Sequence, residues 1–455
     1  MAVSMQGGSS SGVQVSDPEA ARNLRKAIVA STVGTAIEWY DFFLYGSAAA
    51  LVFPKVFFPK SAPLTGVLIS FAVYAGGFAA RPVGAAIFGH YGDRIGRKAT
   101  LVTTLLVMGI ATGLIGLVPG DKSIGIAGAI ILTILRVLQG IGVGGEWGGS
   151  ILLSMEWGSN KRRGLNASWP QLGVPIGLIL GNGTLLVVSR LTGSNFLAYG
   201  WRIPFLLSFV LVAVGLYIRL GILETPAFRK LVVENKVEAQ PVAEVIARNW
   251  REILGSMFVR LSEQAPFYIF TAFVLSYGVE HLKFGKNFML LAVFAASVVS
   301  LITVPLAGHL SDRFGRRQVY GVGVIGIGLF AFPYFAMLDS KSAALVVLAV
   351  IISLIPHDLQ YGPQAALIAE SFTGRVRYSG ASLGYQLASV IAGGPAPLIA
   401  TALLVHYKSS ATIAGYLVLC AVVSLIALLR MPDRAALDHK AEYDALPAGV
   451  AAPVA

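Results

Sequence analysis

A chain of 455 residues that is 55 % hydrophobic and only 13 % charged holds about half the charge of a typical soluble protein, which excludes a soluble fold and places the chain in a bilayer. Its formal charge of +12 does not indicate nucleic acid, because the basic residues gather in short turns between apolar runs, a pattern that sets membrane orientation. The single cysteine, Cys420, excludes a disulfide framework and any cysteine-held metal.

In chain order, the polar, Gly- and Ser-rich N-terminus has no apolar core before a cleavage site, so residues 1–25 read as a disordered cytosolic tail. Crossing the hydrocarbon takes about 20 residues. Six runs of that kind follow: Ala27–Leu51, Leu64–Phe88, Ala99–Val118, Ile124–Met155, Gly164–Ser189 and Trp201–Ile218. A polar, proline-bearing stretch, 221–252, reads as a cytosolic linker. Six more runs then appear: Ile253–Val279, Phe288–Leu310, Val319–Leu338, Ala343–Ile368, Gly380–Val405 and Ile413–Leu429. Residues 431–455 form a second disordered tail. The predicted fold is an all-α membrane protein of 12 transmembrane helices in two six-helix, pseudo-symmetric bundles, 26–220 and 253–430.

Two internal echoes support that division. The turn from Gly89 to Lys98, with Gly92, Asp93, Arg94, Gly96 and Arg97, returns from Gly308 to Arg317, with Asp312, Arg313, Gly315 and Arg316 in register. Glu156 leads Arg163 as Glu370 leads Arg377, by the same spacing. Repeats in nearly one register are the mark of a transporter built from parallel halves. Placing both termini inside puts 23 of the 35 Lys and Arg on the cytosolic side, which fixes the expected orientation. Trp201 and Tyr407 then fall near the outer boundary as interfacial anchors. Two G-x-G-x-x-G strings, Gly140–Gly145 and Gly321–Gly326, lie inside apolar runs without a strand before them, so they read as close helix packing, not as dinucleotide sites.

An ionisable side chain in the middle of a spanning helix costs about 2.5–3.5 kcal/mol, so each one retained is partnered or functional. Glu38 and Asp41 (span one), Arg81 (two), Arg136 and Glu146 (four), Arg260 and Glu263 (seven) and Asp358 beside His357 (ten) make up that set. Most lie on spans one, four, seven and ten, as if matching helices lined one cavity. At about 1.5 Å per residue, Asp41 and Arg136 lie at overlapping depths and can meet, making a pair able to take and release a proton; Glu38 sits one turn deeper. Arg260 can pair with Glu263 one turn away or face a solute carboxylate. Glu146 needs a buried partner and is a candidate for solute or proton contact, Arg81 is a gate or anion contact, Gln171 and Gln386 can hydrogen-bond a solute, and Glu263 and Asp358 are further candidate solute contacts. In span ten, Pro356, Gly362 and Pro363 bracket His357 and Asp358, which suggests either a broken helix or a kink. At the inner boundary, Asp93, Arg94, Arg97, Asp312, Arg313, Arg316, Glu156, Arg163, Glu370 and Arg377 are candidates for a gate that closes between the halves. Six scattered histidines without an H-E-x-x-H string offer no catalytic or metal cluster, and no enzyme is expected.

The two loop motifs resemble those of the major facilitator superfamily. More narrowly, Glu38-Trp39-Tyr40-Asp41-Phe42, Ala80-Arg81-Pro82-Val83-Gly84, Arg136-Val137-Leu138-Gln139-Gly140 with Gly144-Gly145-Glu146-Trp147-Gly148-Gly149, Glu224-Thr225-Pro226-Ala227-Phe228 and Val376-Arg377-Tyr378-Ser379-Gly380 look like the metabolite:H+ symporter family. That resemblance implies a monomeric inner-membrane carrier with no cofactor beyond protons, importing a small organic solute, most simply a carboxylate, by alternating access. It implies proton-coupling roles for Arg136 and Asp41. A zwitterion or betaine symporter and an uncoupled facilitator or antiporter are the alternatives.

Overall fold

A computed structural model describes residues 18–95, 97–157, 162–220, 241–372 and 376–431 of the chain. Residues 1–17 of the first predicted tail, the second tail beyond Met431 and residues 221–240 of the predicted linker lie outside these residues, as do the side chains of Asp93, Arg94, Arg97 and Glu156; residues 18–25, read as disordered tail, instead open the helix of span one. The described residues are helical almost throughout. This follows from the solvent, since in hydrocarbon every backbone N–H and C=O must be satisfied within its own segment.

Span one is Pro18–Leu51, span two Pro63–Ala79 and Arg81–Ile95, span three Arg97–Ile115, span four Ile126–Gly144 and Glu146–Trp157, span five Arg163–Gln171 and Gly173–Thr192, and span six Arg202–Leu220. In the second half, span seven runs through Pro241–Val259, Leu261–Tyr268 and the turns after it, span eight is Lys286–Phe314, span nine Arg316–Asp339 and span ten Ala343–Ala369. Span eleven is Arg377–Ala388 and Pro395–Tyr407, and span twelve Ala411–Arg430. Among the described residues, ten helices are long and apolar enough to cross a membrane; spans one and seven, the carriers of Glu38, Asp41, Arg260 and Glu263, are not among them.

The interruptions are not scattered. Span two breaks at Ala80, next to Arg81. Span four breaks at Gly145, next to Glu146, and span five at Leu172, next to Gln171. Span seven breaks at Arg260 itself and then widens into π-turns at Ile269–Phe273 and Tyr277–His281; span eleven does so at Ser389–Gly393. A break releases carbonyls from the helical ladder, and one of them, at Gly144, reappears below as an acceptor for the opposite half.

The halves meet along spans two with eleven and five with eight, with span five also against span ten. The end of the molecule that bears the two repeated turns is called the motif end here. There an apolar cluster joins both halves through Ala85, Trp147, Ile151, Ala167, Ile253, Tyr378 and Tyr385. The glycines of the first G-x-G-x-x-G string face spans two and three: a Cβ on Gly140 would strike the Gly77 carbonyl, one on Gly144 the Arg81 carbonyl, and one on Gly142 the Met108 side chain, as close helix packing requires. Gly315, in the second repeated turn, holds φ at 96° to reverse the chain between spans eight and nine.

Two further expectations change. The helix of span seven begins at Pro241, inside the stretch read as linker, with a kink at Asn249. Trp201 is not an interfacial anchor: it is wholly buried against Phe53, Phe57 and Phe205, whereas Tyr407 is exposed. Of the two readings left open for span ten, the broken helix is not the one found, since Ala343–Ala369 is one helix with Pro356 and Pro363 inside it.

Candidate functional site

Three guanidinium groups occupy the buried centre, and each lies on aromatic faces. Arg81 is 4.3 Å from the Phe42 ring centroid and 4.2 Å from that of Phe78. Arg136 is 4.4–4.5 Å from Phe42, Tyr45 and Tyr74. Arg260, from the other half, sits 3.3 Å over Tyr385. Tyr268 of span seven closes this group across the interface, with ring centroids 5.1 Å from Phe78 and 5.9 Å from Phe42. Cation–π contact spreads charge over the rings without consuming N–H donors. Donors are accordingly left over: among the described residues, Arg81 Nε and Nη2, Arg136 Nη2 and Arg260 Nε have no hydrogen-bond partner, nor do the hydroxyls of Tyr45, Tyr74 and Tyr268 or the side-chain oxygens of Gln364 and Gln386. A buried polar group without a partner costs about 1–3 kcal/mol, so this concentration marks a place prepared for a polar guest.

Asp41 and Arg136 share the depth expected of them but do not form an ion pair. Gln139 stands between: its Oε1 accepts from Arg136 Nη1, and its Nε2 donates to Thr112 Oγ1 at 2.8 Å and to the Asp41 backbone carbonyl at 3.3 Å. The Asp41 carboxyl takes the Ser208 hydroxyl on Oδ1 and has nothing on Oδ2. One turn toward the motif end, Glu38 is buried, and the cations that bear on it are Arg219 and Arg81. Arg219 is bonded to Glu146 and to the Leu101 carbonyl, which supplies the buried partner Glu146 requires.

In the second half, Glu263 is encircled. Arg260 Nη2, Gln264 Nε2 and Gln364 Nε2 each lie 3.0 Å from its carboxylate, and His357 Nε2 lies 3.5 Å away. The two halves thus hold their ions at matching places, Glu38 and Asp41 on span one opposite Arg260 and Glu263 on span seven, the same three residues apart. Asp358 turns from the centre toward span eight, bonded to Thr303 and to His357 Nδ1, and so does not present itself to a solute.

Gln171 and Gln386 are latches between the halves. Gln171 Oε1 accepts from Trp147 Nε1 and its amide donates to the Tyr361 carbonyl of span ten, both at 3.1 Å. Gln386 donates to the Gly144 carbonyl of span four, at the break, at 3.3 Å. Both ends of Gln171 are therefore committed, which removes it from solute contact in this state, while Gln386 keeps a free oxygen. Arg81 is not drawn toward the boundary; it is buried in the centre.

At the motif end, the Asp312 carboxylate accepts from the Gly164 and Leu165 N–H groups, each at 2.9 Å, capping the helix that Arg163 opens in the opposite half. Arg316 holds Asp312 at 2.7 Å and reaches Glu370 at 3.6 Å. Arg377 donates to the Ala369 and Phe372 carbonyls, fixing the turn before its own helix, and Arg313 is exposed. A carboxylate on a helix N-terminus is stabilised by both hydrogen bonds and dipole. Asp312→Asn keeps the shape and loses the charge, which weakens these bonds by about 1.5–3 kcal/mol. The expected result is about a ten- to hundredfold faster labelling of a cysteine placed at Ser168, which is buried beneath this contact; an unchanged rate contradicts the gate.

Sequence reasoning missed Arg219, which lay one residue beyond the predicted end of span six, and Gln139, legible as a one-turn neighbour of Arg136. It also missed the tyrosines, whose orientation no periodicity reveals. With the fold and site in view, the Major Facilitator Superfamily profile matches residues 31–372 and again 257–453, the second match starting near the second half. The chain belongs to the Major Facilitator Superfamily. It is 41 % identical to the inner membrane metabolite transport protein YhjE of Escherichia coli K12 over 92 % of this chain and 95 % of that one. It is 40 % identical to the shikimate transporter of the same organism, over 90 % and 94 %, and 32 % identical to its proline/betaine transporter, over 90 % and 84 %. Among solved structures, the proton:xylose symporter XylE superposes with a TM-score of 0.71 at 16 % identity, over 90 % of this chain and 95 % of XylE, which establishes the shared fold. This superfamily member is a membrane transporter, and the family expected from the motifs is confirmed.

Proposed function

We propose that the protein is a monomeric, proton-coupled symporter that imports a small hydroxylated carboxylate across the inner membrane, with both termini and the motif end on the cytosolic side. The observation that carries this reading is the set of unpartnered donors on Arg81, Arg136 and Arg260 around one buried centre. A carboxylate satisfies such donors with charge-assisted, bidentate bonds, and ring hydroxyls match the free tyrosine hydroxyls and glutamine oxygens. The relatives that transport shikimate and other metabolites agree with that chemistry.

A betaine fits less well. A quaternary ammonium is held by open aromatic faces, and here Phe42, Tyr74, Phe78 and Tyr385 already carry guanidinium groups. Glu263, the acid nearest the centre in the second half, has its oxygens taken up by Arg260, Gln264 and Gln364, with His357 Nε2 3.5 Å away.

For coupling, the Asp41 carboxyl has a hydroxyl on one oxygen, nothing on the other and no cation in contact, so it is the place where a proton can be held while the carrier is closed. When the proton leaves, Gln139 can release Arg136 toward the carboxylate, and the solute loses one of its anchors. Glu38, Arg219 and Glu146 continue the charged path toward the motif end. No cofactor is required beyond the protons themselves. Purified protein screened against mono-, di- and tricarboxylates, hydroxylated ring acids and betaines tests the substrate class. Hydroxylated carboxylates are expected to raise the melting temperature, by about 2.7 kcal/mol of stabilisation at a hundredfold excess over Kd; stabilisation by betaines alone contradicts the reading.

A further inference from the structure

Outside the central site, the molecule carries two clefts at the motif end, and they occupy equivalent places in the two halves. The first lies between the start of span one and the end of span six, has a volume of about 740 Å³, and joins Arg22, Arg25 and Lys26 to an apolar wall that includes Val29, Tyr217 and Leu220. The second lies between spans seven and twelve, the first and last of the second half, and has a volume of about 560 Å³. It joins Arg251 and Arg430 to a wall that includes Leu254, Phe258, Val423 and Ile426. The five basic residues are exposed, as are Val29, Tyr217, Phe258 and Ile426 on the walls. Among the described residues, Glu252 is the one acidic side chain on either lining.

A basic mouth above a greasy wall, open to the outside of a bundle, matches neither a metabolite nor a soluble protein. We propose that each cleft binds one anionic phospholipid from the leaflet at the motif end, with the phosphate on the arginine and lysine side chains and an acyl chain along the wall. Charge complementarity carries the choice of occupant, because a cation near an anionic membrane surface is worth about 1 kcal/mol. The aromatic residues agree with it. Tyr217 and Trp250 stand exposed beside the clefts, and Arg251 lies 5.3 Å from the Trp250 ring; amphipathic rings of this kind favour the headgroup region. The second cleft is reinforced by Arg317, which is fixed at its rim by the Leu428 and Leu429 carbonyls at 3.0 and 3.1 Å. The site is indifferent to the transported solute and lies apart from the central arginines. Its physical effect is to tie the first and last helices of each half together at the end that the gate must open.

The test is native mass spectrometry of the full chain reconstituted in mixed phosphatidylcholine and phosphatidylglycerol. Wild-type protein is expected to retain phosphatidylglycerol selectively. R25Q/K26Q and R251Q/R430Q are each expected to lower that preference by about fivefold per basic residue removed, with R190Q, at the opposite end, unchanged. Exposed substitutions of this kind leave the fold intact, and a monodisperse, unchanged melt of each variant verifies this. Equal retention of both lipids by the wild type, variants that bind phosphatidylglycerol as well as the wild type, or a second copy of the chain in place of lipid each overturn the proposal.

Discussion

Asp41→Asn is expected to abolish accumulation while sparing exchange. In proteoliposomes with an inward proton gradient, the variant should bring the solute to a concentration ratio of about 1, because a carrier that no longer distinguishes its states by protonation can only equilibrate its solute. Counterflow, in which labelled solute outside exchanges for unlabelled solute inside, needs reorientation of the loaded carrier alone and should proceed near the wild-type rate. The geometry gives the reason for this split. Asparagine fills the same space, can still accept the Ser208 hydroxyl that Asp41 Oδ1 accepts, and has no charge to bury, so the closed state is retained while the proton site is lost. Gradient-driven accumulation by the variant at the wild-type level would show that the proton is held elsewhere, with Glu38 the next group on the path.

The second large effect concerns the pair Arg260 and Glu263. Arg260→Met leaves the Glu263 carboxylate buried with two glutamine amides and His357 and is expected to destabilise the protein by about 3–5 kcal/mol, the cost of stranding one member of a buried ion pair. Removing both charges, with Arg260→Met and Glu263→Leu together, should recover most of that loss, since an apolar pair of similar volume is often neutral in stability. The double variant should nevertheless show no solute-dependent thermal shift, because the Arg260 Nε donor is gone. Unfolding curves of the two single variants, the double and the wild type give the coupling energy directly. A coupling below about 0.5 kcal/mol, or solute binding retained by the double variant, contradicts the assignment.

Much of the architecture was legible because the bilayer permits few answers. Apolar runs of sufficient length must be helices, and the repeated turns at Gly89 and Gly308 divide them into halves. The buried ions were legible for the same reason: Asp41, Arg136, Arg260 and Glu263 stand out in helices otherwise made of hydrocarbon. Their partners were not. Whether Arg136 reaches Asp41 directly or through Gln139 depends on helix rotation, which composition leaves open, and the link from Gln171 to Tyr361 joins residues 190 positions apart. Arg219 was hidden by a boundary effect, because the apolar run thins at Ile218 while the helix continues to Leu220. Trp201 misled through its amphipathic chemistry: the same ring that suits an interface also fills the gap between Phe53, Phe57 and Phe205.

The proposal that solute and proton share one closed centre is tested most directly by following external pH while solute is added. In lightly buffered proteoliposomes without an imposed gradient, adding a hydroxylated carboxylate should alkalinise the medium as protons enter with it, and Asp41→Asn should remove the signal while solute exchange continues. Entry of the solute with no accompanying proton movement in the wild-type protein would contradict the account.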